Sequence, residues 1–141
     1  MSKSKLIKRL LIAGGIFEIL IAVLHFLWPF NLINSPDFTN ISDNIKNLML
    51  LESLAIGLCL FIFGLLAFYF ASQVYNTTKN VRIFCLSQVV LWIARLIFEL
   101  FLPVKVSMYF INNPTTLILI GIPIIILLFF IPILLLKNNT Q

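Results

Sequence analysis

Five ionisable side chains stand inside apolar stretches of this 141-residue sequence: Glu18, His25, Glu52, Arg95 and Glu99. They comprise all three glutamates, the single histidine and one of the ten basic residues. A charged group at membrane depth costs about 2.5 to 3.5 kcal/mol even on the lenient insertion scale. Such groups therefore turn inward, pair with one another, and mark ligand or proton sites. Their spacing supports this reading. Glu18, Ala22, His25 and Pro29 follow one another at intervals of 4, 3 and 4, and Gln88, Trp92, Arg95 and Glu99 repeat the pattern. Each series forms one stripe of an α-helix, and two polar stripes that cannot face lipid are expected to face each other.

Charge arithmetic limits what such a cluster can hold. Three ionised carboxylates against one guanidinium leave −2 when His25 is neutral. Unbalanced charge is costly in an apolar interior, so protons or a bound cation are expected to make up the difference. The expected ligand or proton site is His25, Glu52, Arg95 and Glu99, with Glu18 deeper and Trp92 and Gln88 shaping it. A bland alternative stays open: Arg95 and Glu99, at i and i+4, neutralise each other, and the polar groups only tie helices together. Hydrogen bonds between helices in membranes are worth about 0.6 to 2 kcal/mol. His25, Glu52 and Glu99 could also be read as a metal-ligating set, but they come from three helices with no local spacing motif. No phosphate loop, nucleotide fingerprint, serine triad or CxxC is present, and no cofactor is expected. Cys59 and Cys85 read as packing residues, with no disulfide.

These residues are positioned by helices that composition makes membrane-spanning. The chain is 61% hydrophobic and 11% charged, against roughly 45 to 50% and about 25% for a soluble domain. A crossing helix needs about 20 mostly apolar residues. Four such stretches are expected over about 10–30, 48–72, 83–104 and 115–136, giving an all-α, single-domain, four-helix membrane bundle. Continuous runs such as ILIGIPIIILLFFIPILLL lack the alternation of a membrane barrel. The first apolar run is longer than the roughly 7 to 15 residues of a signal-peptide core and is expected to remain in the protein.

The net charge of +5 invites a nucleic-acid reading, but its distribution argues for a bilayer. Lys3, Lys5, Lys8, Arg9, Lys79, Arg82 and Lys137 fall on one side of the four spans, and Lys46 and Lys105 on the other. An excess of Lys and Arg marks the cytoplasmic side. Both termini are therefore expected inside, with the polar loop 31–47 outside. At about 1.5 Å rise per residue, His25, Glu52 and Glu99 then share a level roughly 7 Å below the outer boundary. Within the loop, Ser42 and Asp43 read as a helix start and Ile41, Ile45 and Leu48 have helical spacing, so a short interfacial helix is expected to lead into the second span. Trp28 and Tyr109 are expected as interface anchors. Gly57 and Gly64 offer close approach to a neighbouring helix. The fourth span, with Gly121, Pro123 and Pro132, reads as a wall.

AVLHFLWPF at the end of the first span, followed by LLESLAIGLCLF in the second, resembles the four-helix DoxX-like membrane proteins. The matching positions are His25, Phe26, Pro29, Glu52 and Gly57. The resemblance implies a small inner (plasma) membrane protein of bacteria or archaea, sometimes an accessory subunit of quinone-linked oxidoreductases, and does not imply catalysis by this chain alone. Two roles follow. The chain is a small transporter or ligand-binding protein for a small lipophilic or cationic ligand, with a pocket near the outer face. Alternatively it is a structural or accessory subunit, in a homo-oligomer or a membrane complex. An enzymatic role ranks below both.

Overall fold

The computed structural model describes residues 2–33, 38, 40–102 and 114–137. Four helices make up nearly all of it: α1 (Lys3–Ile33), α2 (Asp43–Gln73), α3 (Thr78–Phe101) and α4 (Pro114–Lys137). All four contain stretches long and apolar enough to cross a membrane, and no strand occurs among the described residues. The protein is a multi-pass four-helix membrane bundle. At about 1.5 Å per residue, a 31-residue helix such as α1 or α2 measures roughly 46 Å. That exceeds a hydrocarbon core of about 30 Å, so α1 and α2 outrun their expected apolar spans at both ends, whereas α3 starts earlier than its expected span and ends at Phe101, short of the expected 104.

The interfacial helix expected before the second span is the first part of α2 itself. The helix starts at Asp43 as its spacing predicts, but nothing separates the polar opening from the span. Lys46 lies 3.7 Å from the exposed Asp43 carboxylate, one turn away; such a pair is worth little in water. The turn between α2 and α3 is closed by Gln73, whose carbonyl accepts from the backbone N–H of Asn76 and Thr77 at 2.9 and 3.0 Å. Tyr109 lies outside the described residues.

The helices form a ring in chain order. α1 packs along α2, α3 along α4, and α4 closes against α1, while α2 and α3 touch more lightly. α1 and α3 thus face each other across the diagonal. The α1/α2 seam is close because glycines line it. A Cβ added to Gly64 would sit 2.6 Å from Ile19 Cγ1 and 2.9 Å from the Gly15 carbonyl oxygen, and one added to Gly57 would meet the Phe26 ring at 2.8 Å. The neighbour anticipated for Gly57 and Gly64 is therefore α1. Toward the end that carries the termini, Phe70 stacks on Phe84 at 4.7 Å and Phe84 meets Phe129 edge-on at 5.9 Å. α4 contributes Ile122, Ile125, Phe129, Pro132 and Leu136 to the interior, and its helix continues through both internal prolines. The outward surface is apolar, as a lipid-facing surface must be. Cys85 is buried, whereas Cys59, expected to pack, is exposed on α2.

Candidate functional site

The two polar stripes meet across the diagonal. On α1, Glu18, Ala22 and Pro29 are buried and His25 is half-buried; on α3, Gln88, Trp92 and Glu99 are buried and Arg95 is half-buried. The 4, 3, 4 spacing that carries each stripe down one helix face also carries it into the bundle. At the centre, the Trp92 indole N–H donates to Glu18 Oε1 at 3.2 Å. Seven residues further along each helix, roughly 10 Å nearer the opposite end, lie His25 and Glu99. Arg95 Nη2 reaches Glu99 Oε2 at 2.7 Å, and its guanidinium is within electrostatic reach of the His25 ring.

His25 occupies a repaired gap in α1. Pro29 has no N–H, so the carbonyl four residues before it loses its helical donor. That carbonyl belongs to His25, and Ser53 Oγ donates to it from α2 at 2.9 Å. The His25 side chain is anchored separately: its Nδ1 lies 3.0 Å from the Ile21 carbonyl, a bond that requires Nδ1 to carry the hydrogen. The ring also stands edge-on to Trp28 at 6.5 Å. Ser53 was not singled out as a site residue, yet one signal could have found it: an internal proline orphans a known carbonyl, and a neighbouring helix must supply a hydroxyl at that level.

Glu52 behaves differently. It is exposed and makes no hydrogen bond or ion pair with the described residues. It shares a face of α2 with Phe70, eighteen residues and five turns away, and Phe70 packs on α3. Glu52 therefore flanks the side of α2 turned to α3, one residue from Ser53, without joining the packed cluster. Glu18, Gln88, Trp92, Arg95, Glu99 and His25 are brought together as one column; Glu52 stands beside its upper end. His25, Glu52 and Glu99 do not form a metal-ligating group among the described residues.

The centre of the column is closed and incompletely satisfied. Glu18 and Gln88 are 0% and 1% exposed, yet Glu18 Oε2 and Gln88 Oε1 have no hydrogen-bond partner. Both are acceptors, and each orphaned group forfeits about 1 to 3 kcal/mol. What the site lacks is a hydrogen-bond donor. A proton, a water or an ammonium group can supply one; an anion cannot. No protein-family model, curated protein or solved structure matches the chain.

Proposed function

We propose that the chain is a small membrane transporter or ligand-binding protein whose binding centre is Glu18, Gln88 and Trp92. Arg95, Glu99 and His25 line the approach from the end opposite the termini, and Glu52 stands at its mouth. The observation that carries this reading is the pair of buried acceptors, Glu18 Oε2 and Gln88 Oε1, left without donors. A cluster that serves only to hold helices together gains most when every member is paired, and a partly satisfied network is worse than an apolar core. The charge count and the two unpaired acceptors favour a proton or a small cationic ligand. Because the centre excludes solvent, loading it requires α1 and α3 to move apart. The positive-inside rule places the termini in the cytoplasm and the approach on the outer face of the plasma membrane.

A second reading has its own support. The near-complete exclusion of solvent from Glu18, Gln88 and Glu99 suits an accessory subunit, such as one in a membrane oxidoreductase complex, whose polar core only fixes the bundle. Cation binding separates the two. The purified protein is incubated with organic cations from methylammonium to tetraphenylphosphonium, with bound cation read by equilibrium dialysis and released protons by an indicator dye. The transport or binding reading expects saturable uptake with proton release. It also expects Glu18→Gln and Glu99→Gln to remain helical and monodisperse while binding none. Folded wild-type protein that binds no cation, or loss of folding in both variants, would overturn it in favour of the structural role.

A further inference from the structure

The end of the bundle that carries the termini holds a second feature, separate from the polar column. Between α2 and α3 runs an open groove of about 320 Å³ lined by Phe70, Asn80, Ile83 and Phe84. Three of its four walls are apolar, and Ile83 is 57% exposed. Lys79 lies one turn below Ile83 on the same stripe of α3, and Arg82 directly precedes it; both are exposed. No acidic residue stands in the first turn of α3. Asp43, which opens α2, belongs to the opposite end. An apolar slot on a lipid-facing surface thus has Lys79 and Arg82 beside its α3 wall, with no acidic side chain at this end among the described residues, and the positive end of the α3 dipole has the same sign.

We infer that this groove is a binding site for one anionic phospholipid, its phosphate held by Lys79 and Arg82 and one acyl chain laid over Phe70, Ile83 and Phe84. A partner helix fits less well. The α3 wall spans only Asn80 to Phe84, short of the i, i+3, i+4, i+7 seam a docked helix uses. A zwitterionic lipid would fill the slot and leave the two cations without net negative charge. Basic pockets between membrane helices hold anionic head groups on the same physical grounds.

The test is native mass spectrometry of the full chain released from micelles doped with equal amounts of phosphatidylglycerol and phosphatidylcholine of identical acyl chains. Wild-type protein is expected to retain one phosphatidylglycerol in clear preference to phosphatidylcholine. Lys79→Gln with Arg82→Gln should cut that preference by about thirtyfold, taking roughly 1 kcal/mol per cation near the surface. Ile83→Trp, which fills the groove and leaves the charges in place, should lower retention of both lipids. Lys3→Gln with Lys5→Gln should change neither. Equal retention of the two lipids by wild type would overturn the site. So would a Lys3/Lys5 variant as impaired as the Lys79/Arg82 one, because diffuse charge would then account for the binding.

Discussion

Replacing Glu18 with leucine separates a functional carboxyl from a structural one, and the structure bounds the outcome. The side chain is fully buried and makes one hydrogen bond, from Trp92 at 3.2 Å, while Oε2 has no partner. Removing the carboxyl leaves the buried Trp92 N–H without its acceptor, at a cost of about 1 to 3 kcal/mol. It also removes an unsatisfied buried acceptor, whose desolvation cost is about 1 to 3 kcal/mol. The two terms oppose each other. Glu18→Leu is therefore expected to fall within about 2 kcal/mol of wild type in either direction. Titration from mixed micelles into SDS, followed by near-UV circular dichroism, gives the difference. Stability should stay within that range while cation binding is abolished, as expected of a residue retained for function rather than for the fold. A loss of more than about 2 kcal/mol lies outside the range these interactions allow. It would refute the reasoning and make Glu18 a structural member of the core.

Two further predictions concern the frame around the site. Gly64→Ala places a Cβ 2.9 Å from the Gly15 carbonyl oxygen, about 0.5 Å inside the 3.4 Å at which ordinary contact begins; overpacking of this kind costs about 1 to 3 kcal/mol. The same change at Gly121, where nothing lies within 4 Å, should leave stability unchanged or raised, and equal losses at both positions in the SDS titration would refute the close α1/α2 seam. Ser53→Ala leaves the His25 carbonyl without a donor and should cost about 1 kcal/mol. Adding Pro29→Ala restores a backbone N–H at that position and should recover the loss, a rescue that fails if Ser53 acts through anything other than the proline gap.

Much of the frame was legible because membrane-spanning helices leave strong marks. Apolar length fixed the number of elements, and the 4, 3, 4 spacing placed Glu18, Gln88, Trp92 and Glu99 on inward faces. Depth counting placed His25 near the level of Glu99, since helix rise is nearly constant. The exposure of Glu52, outside the packed cluster, has a clear cause. Depth says how far along a helix a residue lies, whereas its facing depends on which neighbours the helix has and how long they stay in contact. α2 packs along α1 and touches α3 only lightly, so a residue on its α3 side stays outside the core. The boundary between the polar opening of α2 and its span was invisible for another reason: a helix does not stop where its surroundings change from water to lipid. The two orphaned acceptors could not be read at all, because satisfaction is a property of three-dimensional neighbours.

The glycine seam has a mechanical consequence. With Gly15, Gly57 and Gly64 interlocked, α1 and α2 behave as one stiff hairpin, and α3 with α4 forms the other; a short turn at Val74–Thr77 joins them. Glu18 belongs to the first hairpin, and Trp92 and Gln88 to the second. The 3.2 Å bond from Trp92 to Glu18 is thus a clasp between the two hairpins, across the joint at the Val74–Thr77 turn. Any rocking of one hairpin against the other must stretch that clasp, and whatever occupies the neighbouring vacant acceptors bears directly on whether it holds.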